Sequence, residues 1–450
     1  MLKEKLLRVS IVLIILFTAT VYFVTNSKVG SLVENSITVK LDYISNMGME
    51  IIKTRYFGDW NVKDGKLFIG EKQVKGKFGV MNEIKEKTGA FAAIYLGDKI
   101  VATSTLDKDM EIKVGSKVSG EVAETVLNKG ATYEGVENIL DKKYAVRYVP
   151  IKNKKGELLG MWFVGMQKSS AVRYAGKIFV MRASIVVISI LCGLLGCFLL
   201  VLYSRKFLKD IDTHKVAFLE NGSNTEKTQN RILVMSLLLI GTFFVIWFTI
   251  QGFTIGNVVN NIEKNSIEDR LNDSSKLGYI LINELYNGDW SIRDNKLYKG
   301  GTSLNDNSTI LDKISANTEF LSTIYMGDTS VSTNVLHENG TKSIGAKQTK
   351  KVVETVLNKG TEYKGENTVL GKKFISICMP IKDINGEIIG IWDIGVDKKV
   401  TNNHLTNLRK NITLISLFAS IIAIVSFLFL SIKMMSDISN FNVSLHTNAR

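Results

Sequence analysis

Cysteine is scarce in this chain: 450 residues include three, Cys192, Cys197 and Cys378. The first two lie inside one apolar run and the third stands alone, so no disulfide framework is implied. Histidine is equally rare. His214, His337, His404 and His446 are scattered, and none has a cysteine or carboxylate partner at the spacing a metal site needs. No nucleophile elbow, glycine-rich phosphate loop or pair of catalytic acids is present. The sequence therefore reads as neither an enzyme nor a metalloprotein, and it calls for no cofactor. Lysine and arginine exceed aspartate and glutamate by 14. That excess is scattered, without the basic, aromatic-interleaved stripe of a nucleic-acid binder, so no nucleic-acid partner is expected. Such lysines suit surfaces beside anionic lipid.

What the chain has instead is apolar length. It is 45% hydrophobic with a mean hydropathy of +0.11, whereas a soluble chain of this size ordinarily falls below zero. Runs at 9–24, 179–203, 232–250 and 412–432 are dominated by Val, Ile, Leu and Phe. About 20 apolar helical residues cross a bilayer core, so the expectation is a membrane protein with four transmembrane helices. The first run is the shortest, but Leu6 and Leu7 extend it beyond Arg8, whose side chain can snorkel. A cleaved signal peptide, with Lys3, Lys5 and Arg8 as its basic start, is the alternative. Against it, Arg231 opens a similar run at Ile232, inside the chain, and an anchor explains both.

Lys3, Lys5 and Arg8 precede the first run, and Arg205, Lys206, Lys209, Lys215, Lys227 and Arg231 fill 204–231. By the positive-inside rule both stretches are cytoplasmic. The expected localisation is a multi-pass plasma-membrane protein, with 28–172 and 256–402 extracytoplasmic and the loop 204–231 and tail 433–450 inside. A transporter is disfavoured, because Arg182 is the one ionisable group within the runs and transport pathways need several.

The most informative feature is a repeat. Gly58-Asp59-Trp60 returns as Gly288-Asp289-Trp290, and Ile94-Tyr95-Leu96-Gly97-Asp98 returns as Ile324-Tyr325-Met326-Gly327-Asp328. Glu124–Gly130 returns unchanged at Glu354–Gly360, and Trp162 and Gly165 return as Trp392 and Gly395. The chain's two prolines, Pro150 and Pro380, occupy equivalent positions, which makes chance implausible. At this period the unit is a whole domain rather than a solenoid module.

Within each copy a long helix comes first. From 28 to 55 the apolar residues Val29, Leu32, Val33, Ile37, Leu41, Ile44, Ile51 and Ile52, with Gly48, form one stripe at 3–4 spacing. Such a stripe packs on its own domain or pairs with another chain's helix. Asp64-Gly65 marks a turn leading into a strand at 66–69. Hairpins are expected at 91–96 with 100–105 and at 144–152 with 158–166. A helix at 120–128 ends at Gly130. The order of long helix, strand, helix, hairpin, helix, hairpin describes an α+β domain built on an antiparallel sheet.

These segments resemble the single Cache sensor domains of bacterial methyl-accepting chemotaxis receptors, PAS-like sheets behind a long N-terminal helix. The likeness is carried by Asp64-Gly65-Lys66-Leu67, the hairpin 94–106, Val114-Gly115-Ser116-Lys117, 126–133, and Val149-Pro150-Ile151 with 156–165. In copy two it is carried by Asn295-Lys296-Leu297, 324–336, Ile344-Gly345-Ala346-Lys347, 356–363, and 380–383 with 386–395. The resemblance implies sensing of a small extracellular solute, a carboxylate or an amino acid, by a chain that homodimerises or pairs with other chemoreceptors. The loop 204–231 and the tail 433–450 house neither a HAMP module nor a signalling hairpin. The expected function is therefore a chemotaxis-type sensor that passes ligand-induced helix shifts to a membrane partner. The alternative is a non-signalling scaffold or decoy that pairs with full-length receptors.

In PAS-like sensors the ligand lies against the sheet, between largely apolar walls carrying a few fixed polar groups. The candidates in copy one are Tyr95, Thr103, Tyr144, Arg147 and Trp162. Strand alternation puts Tyr144 and Arg147 on opposite faces. Arg147 is the preferred anion anchor, because an arginine amid apolar strand residues is costly unless it meets an anion; an edge arginine in a structural salt bridge is the competing reading. Copy two has Ile377, Cys378 and Asp393 where copy one has Arg147, Tyr148 and Phe163. Its candidates are Tyr325, Thr333, Asn334, Trp392 and Asp393. Asp393 suits an amine or a buried lysine, and Asn334 a ligand or a turn. The tryptophans read mainly as helix-to-sheet packing. The two copies are expected to bind different molecules, or one of them nothing.

Overall fold

The computed structural model describes residues 2–77, 79–104, 114–139, 141–168 and 222–400, with single residues between 183 and 198 and between 410 and 425. The chain divides into two compact units. One comprises Met1–Leu32, Gly176–Ile262 and His404–Arg450; the other comprises Val33–Ala175 and Glu263–Asn403.

In the first unit the described backbone is helical. Helix α1 spans Leu2–Arg55 and includes the run 9–24. The helix preceding the second copy spans Gly222–Leu285 and includes the run 232–250. Among the described residues no helix is long and apolar enough to cross a membrane. The four transmembrane helices expected from the sequence are thus not carried by the described residues. Most side chains of these two runs lie outside that set, as do nearly all of 179–203 and 412–432, the loop before 222 and the tail 433–450.

The second unit contains both repeats. In copy one, α1 is followed by β1 (Trp60–Lys63), β2 (Lys66–Ile69), β3 (Lys72–Gln73), β4 (Gly76–Lys77) and α2 (Gly79–Thr88). Then come β5 (Phe91–Leu96), β6 (Lys99–Thr103), α3 (Gly120–Ala123), β7 (Tyr133–Ile139), β8 (Lys142–Lys152) and β9 (Leu158–Gln167). Copy two repeats the plan. Its helix α4 (Gly222–Leu285) leads to β10 (Trp290–Arg293), β11 (Lys296–Lys299), β12 (Thr302–Ser303), α5 (Thr309–Thr318), β13 (Leu321–Met326) and β14 (Thr329–Thr333). It closes with α6 (Lys350–Val352), β15 (Tyr363–Val369), β16 (Lys372–Lys382) and β17 (Ile388–Asp397).

The main sheets run β4-β6-β5-β9-β8-β7 and β14-β13-β17-β16-β15, with β1-β2-β3 and β10-β11-β12 as small satellites. All pairings are antiparallel except β4 with β6. Strand β7, which the sequence order leaves out, pairs with β8 along its whole length. It carries Glu134, Glu137 and Asn138 among few apolar residues and includes a glycine, a weak strand signal that edge position tolerates. The Asp64-Gly65 turn has φ of 49° and 68°, and Asp294-Asn295 has 47° and 56°. A two-residue hairpin of this type needs positive φ at both positions, which Gly and Asn supply.

Each sheet has a back and a front. On the back of copy one lies α1, burying Ile37, Leu41, Ile44, Met47 and Ile51. Trp162 donates its indole N–H to the Ser45 carbonyl at 3.1 Å, and Trp392 does the same to Ser275. Gly48 and Gly278 admit the rings: a Cβ would stand 3.0 Å from Trp162 Cζ2 at the first and 3.1 Å from Trp392 Cζ2 at the second. On the front of each sheet, α3 and α6 run on into π-helical turns, Glu124–Asn128 and Val353–Asn358. Such turns occur often at functional sites.

The apolar stripe of α1 packs on its own sheet, and α1 also meets α4 of the same chain. Ser36 Oγ lies 2.5 Å from Ser266 Oγ. These serines occupy the same position in the two copies, so an approximate twofold axis passes between them.

Candidate functional site

The fronts of the two sheets share a backbone and differ in chemistry. In copy one, period-2 alternation brings Ala93 and Tyr95 from β5, Val146 and Tyr148 from β8, and Met161 and Phe163 from β9 onto this face. They form a buried cluster with Val122 and Val126 of the helix above. Aromatic edges fill the space: Tyr95 is T-shaped to Tyr148 at 5.8 Å and to Phe163 at 6.4 Å, and Tyr148 lies 4.8 Å from Phe163. The Phe163 ring also covers Gly165. A carboxylate at this face, Glu137 on β7, accepts from Tyr148 Oη at 2.6 Å and from Ser119 Oγ at 2.9 Å. Burial pushes the Tyr95 and Tyr148 hydroxyls well above the ordinary tyrosine range. This front is a closed aromatic core.

In copy two the equivalent positions carry Thr323, Tyr325, Ser376, Cys378, Ile391 and Asp393, with Gln348 for Val118 and Asn367 for Glu137. Asp393 is 5% exposed. Its Oδ2 accepts from Gln348 Nε2 at 3.1 Å and Asn367 Nδ2 at 3.4 Å, while its Oδ1 is buried without a partner. The Ser376 hydroxyl and the Cys378 thiol also lie beside this carboxylate. No lysine or arginine among the described residues forms an ion pair with it. Desolvation pushes Asp393 up to about 6, even though the polar side chains of Cys378, Ser376, Gln348 and Asn367 around it oppose the shift. Burial, with the Asp393 charge added, holds the Tyr325 and Cys378 protons well above their ordinary ranges. The donors are themselves anchored: Thr349 Oγ1 gives to Asn367 Oδ1 at 2.9 Å, and the Thr349 N–H gives to Gln348 Oε1 at 2.8 Å. A half-satisfied buried carboxylate is costly in the absence of a charged partner. Its free oxygen is suited to a donor that carries positive charge.

The structure brings some expected residues to the front and turns others away. Tyr95, Tyr144, Tyr325 and Asp393 face it; Tyr144 stacks edge-on with Phe91 at 6.1 Å. Thr333 Oγ1 pairs with Thr323 Oγ1 at 2.7 Å beside the polar cluster. Thr103, its counterpart, spends its hydroxyl on the Ala92 and Ser104 carbonyls. Asn334 ties backbone together, accepting from the Ser322 N–H and donating to the Leu311 carbonyl. Trp162 and Trp392 belong to the back, locked to the helices as described.

Arg147 also points to the back, because it is odd in a strand whose even residues face front. It pairs with Asp42 of α1 at 2.6 Å and with Glu134 of β7. In copy two the same tie is remade with other residues: Ile377 replaces the arginine, and Lys364 donates to Asn272 at 3.0 Å. A cleft of about 300 Å³ opens beside Arg147, lined by Glu34, Thr38, Glu134 and Lys168 among others. Its charges are spent on one another, Lys168 on Glu34 at 2.6 Å. Arg147 thus serves as a helix-to-sheet tie. Gln348, Asn367 and Ser376 were not singled out from the sequence; comparing the copies position by position on the front parity is the signal that finds them.

Residues 62–177 and 302–408 both match the family model Single cache domain 3. Cache domains of this kind are extracellular-type sensors of small molecules and are typically non-enzymatic. No curated protein matches the chain. A solved structure described as "Structure of an RNA-binding Light-Oxygen-Voltage Receptor" aligns over 73% of this chain and 99% of its own at 10% identity, with a TM-score of 0.18, too low to bear on the fold.

Proposed function

Because the chain carries two single Cache domains in tandem, we propose that it is a membrane-anchored sensor of a small extracellular solute whose working site is the front of copy two. The observation that carries this reading is the buried Asp393 carboxylate, with one oxygen held by Gln348 and Asn367 and the other unpartnered. A ligand with a protonated amine, an amino acid or a simple amine, supplies both the missing donor and the missing charge. Copy one, with Tyr148 and Phe163 packed at the equivalent positions, offers no such unpartnered carboxylate and serves as a ligand-blind companion.

The membrane part of the reading rests on the four apolar runs. It is supported by large apolar side chains within them that stand exposed, Ile15 at 61%, Phe23 at 75%, and Phe198, Phe418 and Val425 with them, although Trp247 in the third run is buried. Apolar exposure of this kind fits contact with lipid. In this reading both termini and the loop 204–231 are cytoplasmic and the Cache domains lie outside. Closure over a solute shifts the long helices by an ångström or two, the scale of helix movement at packed interfaces, and a membrane partner of chemoreceptor type receives the shift. The closed front of copy one favours a scaffold role for that copy, and for the whole chain if copy two also fails to bind.

The test uses the full chain in detergent micelles and its melting temperature with ammonium, methylamine, glycine, alanine and, as contrast, succinate and citrate. An amine-bearing solute should raise the transition by linkage, and Asp393→Asn should abolish the rise while Phe163→Leu leaves it intact. A hit that binds the Asp393→Asn variant equally well overturns the site; a response confined to the carboxylates overturns the ligand class.

A further inference from the structure

Among the described residues, polar contacts join the two copies through α1, α4 and α5. Besides the Ser36–Ser266 pair, Lys40 Nζ lies 2.8 Å from Asp273 Oδ2, and Tyr43 Oη donates to the same oxygen at 3.1 Å. Farther along, Arg55 reaches Glu284 at 2.6 Å and Lys313 reaches Glu50 at 2.7 Å. The Lys40–Asp273 pair is desolvated, its side chains 5% and 0% exposed.

Only the serines meet like with like. The other contacts join residues whose counterparts differ: Tyr43 occupies the position of Asp273, Arg55 that of Leu285, Glu50 that of Ile280, Glu83 that of Lys313, and Thr54 that of Glu284, while Lys40 keeps its charge as Arg270. The consequence for other pairings follows from symmetry. Two copy-one faces brought together by the same axis bury two Lys40 ammonium groups against tyrosines with no carboxylate between them, and set Glu50 against Glu83. Two copy-two faces set Arg270 where Lys40 stands, so Asp273 keeps a cation there beside a second Asp273, but they leave Glu284 and Lys313 opposite Leu285 and Ile280. Buried unpaired charges and like charges are the usual means by which an interface rejects the wrong partner.

We propose that these substitutions make the interface heterospecific, so that each sensor copy takes as its partner the other copy of the same chain. This in-chain pair then stands in place of the homodimer of sensor domains expected from the sequence. The inference is independent of which solute copy two binds.

Disulfide trapping in the full chain tests it. In a background with Cys192 and Cys197 changed to serine, Ser36→Cys with Ser266→Cys places two thiols where hydroxyls lie 2.5 Å apart, within reach of a disulfide. A protease site inserted in 204–231 reports the topology. The expected result after oxidation is a species of single-chain mass whose halves remain joined after cleavage until reduced. Asp273→Lys should lower that yield by on the order of tenfold or more, since it sets two buried ammonium groups together. Lys40→Asp combined with Asp273→Lys should restore the yield to within about twofold, a rescue that a folding defect would not show. Disulfide-linked dimers from Ser36→Cys or Ser266→Cys alone, a dimer-mass product from the double variant, or equal yields across the charge series would each overturn the proposal.

Discussion

Copy one and copy two place the same backbone under opposite demands. Behind both sheets the packing is the same: an indole N–H on a helix carbonyl at 3.1 Å, and a glycine making room for the ring. In front, Ala93, Val146, Tyr148 and Phe163 give way to Thr323, Ser376, Cys378 and Asp393. The back therefore carries the fold and the front is free to change, because a sheet side chain contacts only its own face. A duplicated domain can in this way keep its stability while one copy exchanges aromatic core for a polar site.

The largest expected effect tests the shared half of that comparison. Trp162→Ala and Trp392→Ala should each destabilise their own copy by about 3–5 kcal/mol, the range for truncating a buried aromatic residue. Hydrogen exchange resolved along the chain should place each loss in its own copy, and markedly unequal losses would break the equivalence of the two backs. The differing half is tested by Phe163→Asp. Copy one lacks counterparts of Gln348 and Asn367 and holds Glu137 nearby, so a carboxylate there should cost about 3 kcal/mol or more. Loss of exchange protection in β5, β8 and β9 measures it; a cost near zero would mean the front of copy one is not a closed core.

A smaller effect has a pH signature. The folded pKa of Asp393, about 6, lies above the unfolded value near 4, so folding favours its protonated form. The associated stability is complete below about pH 4 and is lost as pH rises through 6. Asp393→Asn should therefore match the parent below pH 4 and exceed its stability by about 2 kcal/mol at pH 8. Thermal melts across that range follow the gap, and the opposite slope would rule out an uncompensated carboxylate. Amine binding should weaken as pH falls below 6, since it requires the ionised form. The smallest effect belongs to Tyr148→Phe, which deletes the 2.6 Å bond to Glu137 at about 1 kcal/mol; replacing Cys378 in the equivalent position by alanine should leave copy one unchanged in the same exchange experiment.

Much of the architecture was legible in advance. Period-2 segments located β5, β8 and β9 to within two residues at each end, the Asp-Gly turn located β2, and the 3–4 stripe located α1. Strand β7 was missed because an edge strand interrupted by Glu134, Gly135, Glu137 and Asn138 lacks a continuous apolar signal. Among site residues, Asp393 was legible as a charge on an apolar strand, and Arg147 was legible only as one of two alternatives.

By itself the amino-acid sequence determined the duplication, the order of the long helix and the two main hairpins, and which residues share a face, since these depend on spacing along one chain. It left three matters to the tertiary structure. Alternation says that Tyr144 and Arg147 face apart, but only packing against α1 decides which face is the back. Gln348, Asn367, Ser376 and Asp393 come from separate elements, and only the closed sheet brings their polar atoms onto one carboxylate. The pairing of Lys40 and Tyr43 with Asp273 depends on how two helices distant in sequence meet, and in that contact a buried charge finds its partner through geometry that no local pattern encodes.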